Sequence, residues 1–130
     1  MTVEQRIEKL EQQVERLSAV RVVEATSLRL VDDQGRVRAQ FGLDEGVPML
    51  GLSDEQGKPR AVLALNEDGT GLVMSDEQGK PRTILALGAS GSTLSLRDEH
   101  GEVRAGIALT KSGPRLANYD EQGKCTWSAP

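Results

Sequence analysis

The chain has 130 residues, of which 37% are hydrophobic and only 2% aromatic, and it carries a net charge of −4 at neutral pH. That is one domain's length with a thin, aliphatic core, and with no basic stripe or stacking aromatics it offers nothing to a nucleic acid. A single cysteine, Cys125, rules out an intrachain disulfide framework.

The first element is an amphipathic helix. Ile7 and Val14 fall at heptad position a, and Val3, Leu10 and Leu17 at d, with Glu, Gln, Lys and Arg filling the other positions. The pattern predicts a helix from an N-cap at Thr2 to about Val20, the next a slot holding Arg21, with extended chain from about Val22. Ile or Val at a with Leu at d favours a dimer. Against that, Arg6-Ile7-Glu8-Lys9-Leu10-Glu11 resembles the Arg-h-x-x-h-Glu trimerisation motif of short three-stranded coiled coils. The resemblance implies that Arg6 pairs with Glu11 of the next chain. Residues 1–24 are therefore expected to be a coiled-coil trimerisation helix.

From residue 25 to 130 the chain repeats itself every 22 residues without an insertion or deletion. Leu28, Leu50, Leu72, Leu94 and Leu116 open the five repeats, and Gly35, Gly57, Gly79, Gly101 and Gly123 hold a second phase. Each unit reads as a hairpin: Leu50 and Leu52 alternate with Gly51 and Ser53, and Pro59, Ala61, Leu63 and Leu65 alternate with Arg60, Val62 and Ala64. Asp54 to Gly57 supplies a four-residue turn, pairing Leu52 with Pro59 and Leu50 with Ala61. An odd loop without a bulge would bring the leucines opposite Lys58 and Arg60 and wet one face. Six residues separate Leu65 from Leu72, which keeps the same parity. The expected inward set is Leu28, Leu30, Val37, Ala39, Phe41 and Leu43 in the first repeat, and Leu72, Met74, Pro81, Thr83, Leu85 and Leu87 in the third. Gly42, Ala64, Ala86 and Ala108 then point outward as a flat face.

A leucine face of that extent is not tolerated in water by a soluble monomer. Two coverings are open: several copies around one axis, or a single-chain solenoid with leucines stacked in parallel ladders. The fold class expected is mainly β, 22-residue hairpin repeats forming a trimeric β-prism or β-helix-like body behind the coiled coil. The trimer interface would comprise Val3, Arg6, Ile7, Leu10, Glu11, Val14 and Leu17 of the helix. In the body it would comprise Leu50, Leu52, Leu63, Leu65, Leu72, Met74, Leu85, Leu87, Leu94, Leu96, Ile107, Leu109, Leu116 and Trp127.

A coiled coil followed by a β-repeat body resembles trimeric bacteriophage tail fibres, needles and spikes, and the stalks of bacterial trimeric surface proteins. The likeness is one of architecture, and what it implies is a structural role.

Little in the chain suggests chemistry. Asp32, Asp54, Asp76, Asp98 and Asp120, each three residues before a glycine, could suggest calcium, but the loops lack the alternating oxygen ligands and distal Glu of an EF-hand and read as Asp-capped turns. Arg38, Arg60, Arg82 and Arg104 follow those aspartates by six residues and are placed to pair with them. His100 is the one histidine, so no Ser/His/Asp set can be assembled and no metal or cofactor is expected. Cys125 shares the phase of Val37, Pro59, Pro81 and Val103 and reads as a buried, inert thiol. In the fifth repeat Thr126 stands where the others have Arg, and Trp127 where they have Ala or Thr, as if to cap the leucine core.

The function expected is non-enzymatic: a self-trimerising stalk, spacer or spike segment. The alternatives are a binding or adhesion module engaging a protein or glycan through its exposed faces or loops, and a monomeric solenoid scaffold. No stretch reaches the apolar length of a membrane span, and Met1 to Leu17 is too charged for a signal peptide. The expected setting is cytoplasmic or particle-associated, without membrane insertion.

Overall fold

The computed structural model describes residues 1–19 and 22–130. Helix α1 spans Val3–Ser18. Its start is a capping box: the Gln5 backbone N–H donates to Thr2 Oγ1 at 3.2 Å and the Thr2 N–H donates to Gln5 Oε1 at 2.8 Å. Ala19 is the C-cap, and the expected end at Val20 and the heptad slot of Arg21 lie outside the described residues. The apolar stripe Val3, Ile7, Leu10, Val14 and Leu17 is exposed along its whole length, and α1 packs against no strand. A helix of about 24 Å with no cover for its apolar stripe is marginal in water.

Ten strands follow: β1 Ser27–Val31, β2 Val37–Asp44, β3 Val47–Ser53, β4 Pro59–Asn66, β5 Gly69–Ser75, β6 Pro81–Gly88, β7 Gly91–Arg97, β8 Val103–Thr110, β9 Gly113–Tyr119 and β10 Cys125–Ala129. They form one antiparallel meander in sequence order, a single sheet that does not close on itself. Consecutive antiparallel hairpins exclude the parallel ladders of a single-chain solenoid, so that reading is set aside.

The pairing within each hairpin differs from the four-residue turn expected from the sequence. Leu50 lies opposite Leu63 and Leu52 opposite Ala61, while Ser53 faces Pro59. The turn is one residue longer: Asp54 N–H donates to the Lys58 carbonyl at 2.9 Å, and Gly57 N–H to the Asp54 carbonyl at 3.0 Å. Gly57, at φ 80°, takes the left-handed conformation such a loop demands. An odd loop alone would have spoiled the leucine face. A bulge at Arg60, the extra residue between Pro59 and Ala61, restores the parity. The same bulge recurs at Arg38, Arg82, Arg104 and Thr126. Its cost is that Val37 and Pro81 drop out of the apolar ladder: they face Val31 and Ser75, the neighbours of Leu30 and Met74, and so belong to the opposite parity.

At the other end of the strands the turns are tight. Asp44 faces Val47 across Glu45-Gly46, both at positive φ, and Asn66 faces Gly69 across Glu67-Asp68. Asn66 Oδ1 accepts from the N–H groups of Asp68 and Gly69 at 3.0 and 3.1 Å, which holds that turn shut.

The result is a sheet with two unlike faces. One carries a central ladder of directly opposed side chains, Leu50, Leu63, Leu72, Leu85, Leu94 and Ile107, extended by Leu28 and Phe41 on one side and Leu116 on the other. The reverse face holds Gly42, Ala64, Ala86 and Ala108. It also holds a second aliphatic row, Val62, Val73 and Ile84, which the focus on small residues had passed over.

Candidate functional site

Two features stand out: a ladder of basic side chains along one end of the sheet, and the leucine face itself. Between β2 and β3 the register ends at Ala39 and Leu52, which leaves the Ser53 carbonyl without a strand partner. Arg38, lifted out of the strand by its bulge, donates from Nε to that carbonyl at 3.2 Å. Arg60, Arg82 and Arg104 do the same for the carbonyls of Ser75, Arg97 and Tyr119, at 2.9, 2.8 and 2.9 Å. Each bulge therefore satisfies an orphan backbone acceptor of the next hairpin. A second row binds turn to turn: Arg36, Lys58 and Lys80 donate to the carbonyls of Glu55, Glu77 and Glu99 at 3.0, 3.0 and 2.8 Å. Glu102 interrupts that row. On β10 the ladder position is held by Thr126 in place of an arginine.

Each arginine also meets its expected aspartate. The NH1 atoms of Arg38, Arg60, Arg82 and Arg104 lie 3.6, 3.6, 3.3 and 3.4 Å from the Oδ2 atoms of Asp32, Asp54, Asp76 and Asp98. The other oxygen of each aspartate accepts two backbone N–H groups, from Gln56 and Lys58 at 3.0 and 2.9 Å in the case of Asp54. The backbone donors of Lys58 and Lys80 are the chief reason that Asp54 and Asp76 lie below the ordinary value of 3.8. At Asp32 and Asp98 partial desolvation pulls upward but is outweighed by the N–H groups of Arg36 and Glu102 and by the guanidinium partners, so these too are lowered. With both oxygens so occupied, these turns are structural caps, and among the described residues no three His, Cys, Asp or Glu side chains are grouped to hold a metal ion.

A lowered carboxylate contributes stability that is complete above its unfolded value near 3.8 and is lost as pH falls through the lower folded value. The urea midpoint is accordingly expected to hold steady from pH 7 to about pH 5 and to drop below about pH 4. Asp54→Asn combined with Asp76→Asn should flatten that drop. An unchanged acid slope in the double variant would remove these turns as its source.

The leucine face has no cover. Among the described residues only Ala117, at 4% exposure, is buried, and it lies on the reverse face between Gly106 and Ser128. On the leucine face Leu72 and Leu94 are half-buried, and the other large side chains run from 39% exposed, at Leu116, to 69%, at Leu30. Every body residue named above for the interface lies on this face. Towards the C-terminal edge the face holds an apolar cleft of about 220 Å³ lined by Leu94, Leu96, Ile107, Leu116, Asn118 and Trp127. Trp127 stands opposite Asn118 on the last strand, half exposed within the single chain. Arg6 and Glu11 are both exposed and, among the described residues, neither enters an ion pair within the chain.

Cys125 is exposed, not buried as its phase had suggested. The bulge at Thr126 pairs Cys125 with Tyr119 and places it off the leucine face. His100 is likewise exposed, with Nε2 3.8 Å from Glu99 Oε1. Among the described residues no helix is long and apolar enough to cross a membrane. Compared with known proteins, the chain matches no family model and none of the curated sequences.

Proposed function

We propose that the protein is a non-enzymatic structural module, a stalk, spacer or spike segment that exists as a homotrimer with its leucine faces turned inward around one axis and its helices joined in a parallel coiled coil. One observation carries this reading. The chain exposes 10353 Å², whereas a compact monomer of 14.0 kDa exposes about 6,700 Å². The surplus, roughly 3,700 Å², is of the size that obligate assemblies bury. The exposed large hydrophobic side chains lie mostly on the leucine face and on the stripe of α1. The Arg6 and Glu11 pattern supports three copies over two. The reverse face, with its small residues, one aliphatic row of Val62, Val73 and Ile84, and arginines and acidic turns along its margin, is the surface left to water.

Light scattering on a calibrated column tests the reading directly. A mass of about 42 kDa, three times the 14.0 kDa chain, is expected, together with blue-shifted native fluorescence from Trp127 enclosed among its copies. A stable 14 kDa particle with a water-exposed emission spectrum would overturn it.

A further inference from the structure

The leucine face has a finer pattern. From β2 to β8 three side chains per strand point into it, and in chain direction they run small, bulky, bulky. In β4 they are Ala61, Leu63 and Leu65, and in β6 they are Thr83, Leu85 and Leu87. In the strands running the other way, β3 has Pro48, Leu50 and Leu52, and β7 has Ser92, Leu94 and Leu96. The rule extends to β2, β5 and β8: Ala39 precedes Leu43, Thr70 precedes Met74, and Ala105 precedes Leu109. Because neighbouring strands are antiparallel, the bulky third residue alternates from one margin of the sheet to the other. Each margin is therefore a series of knobs with gaps two strands apart, on the order of 9.6 Å.

A closed ring of identical copies brings the two margins together in one way. Rotation about an axis along the sheet leaves every strand at its own height, so the end of a strand in one copy meets the start of the same strand in the next. On that contact, from β2 to β8, a bulky residue faces a small one. Displacement by one strand would set Leu65 against Leu52 and leave Pro48 facing Ala39, a clash beside a void. Displacement by two strands, one whole repeat, fits locally but accumulates around the ring and cannot close.

We infer that neighbouring copies meet head to tail along β2 to β8, with the third side chain of a strand in one copy seated on the first side chain of that same strand in the next: Leu65 on Ala61, Leu87 on Thr83, Leu52 on Pro48. This rests on the self-assembly proposed above and adds its register. The partner is a second copy of this chain, parallel and unshifted. Closure of the ring selects this alignment over a slip of one repeat, which a single pair of sheet margins would accept.

Disulfide trapping tests the register, in a Cys125→Ser background that removes the exposed native thiol. Ala61 and Leu65 lie on one strand about 13 Å apart, beyond the roughly 7 Å limit for bridging two cysteines. Any bond formed in Ala61→Cys/Leu65→Cys is therefore between chains. Mild oxidation should shift the greater part of this variant from one to three chain masses on a non-reducing gel, while Ala61→Cys/Leu87→Cys, which reports a one-repeat slip, should stay at one. Thr83→Cys/Leu87→Cys repeats the first arm should Leu65→Cys impair folding. If light scattering gives a trimer but the same-strand pairs do not link, or the slipped pair links as readily, the register is wrong and the assembly stands. Linking that stops at two chains overturns the ring of three, and a one-chain mass before oxidation overturns the assembly itself.

Discussion

Leu63→Asp is expected to abolish assembly, leaving a chain that does not form the folded trimer and accumulates poorly in the soluble fraction. Leu63 stands in the middle of the central ladder, directly between Leu50 and Leu72. In the proposed trimer the substitution would bring three unpaired carboxylates into an apolar interior, each costing several kcal/mol to desolvate. Since the single chain has one buried residue among those described, there is no independent core to hold the sheet while the interface fails. Leu85→Asp should behave the same way, its neighbours being Leu72 and Leu94. Val62→Asp is the control. Val62 is the next residue along but faces the other side, opposite Gly51 and Val73. Losing its contact with Val73 should cost up to about 1 kcal/mol, so this variant should express, reach trimer mass and melt somewhat earlier. Equal behaviour of the two substitutions in yield and mass would show that the leucine face is not the covered one.

Gly69→Ala is expected to disrupt the β5–β6 hairpin and lower stability by about 3 kcal/mol or more. Gly69 sits at φ 137°, and a Cβ built there would lie 2.0 Å from the Leu87 carbonyl oxygen and 2.9 Å from Gly88 Cα. Both obstacles are backbone of the adjacent strand, so relief means moving β6 and breaking its register. Gly79→Ala separates the clash from the conformational cost. It also has positive φ, 84°, but a Cβ there meets nothing within 4 Å. Its penalty should be about 1–2 kcal/mol, that of a left-handed alanine. Urea unfolding of the two variants measures the difference, and equal midpoints would mean that the β5–β6 approach is looser than the structure has it.

Much of this architecture can be read from residue order, because a β-hairpin repeat advertises itself through parity. The heptad of α1, the 22-residue period and the division of leucines and small residues between two faces all follow from spacing, and the strands obey them. The Asp–Arg pairs were legible for the same reason, since six residues span a turn. The register was not. A loop of four and a loop of five with a bulge both keep the leucines dry, and alternation cannot choose between solutions of equal parity. Hydrogen-bonding chose: Gly57 in the left-handed conformation closes the longer turn, Asp54 takes up the N–H groups that turn leaves free, and Arg60 is expelled to serve a carbonyl on the following hairpin.

The error at Cys125 has the same origin, the bulge at the next residue, Thr126, which puts Cys125 off the face that its phase assigns. What the residue order determined by itself was therefore local and periodic: which segments are helix and strand, where they turn, and which side chains share a face. Only the tertiary structure decided which strands are neighbours, where each bulge resets the count, and that one chain leaves its leucine face open to solvent. The physical reason is that side-chain alternation is a property of a single strand, whereas register and burial depend on backbone partners and covering surfaces supplied from elsewhere.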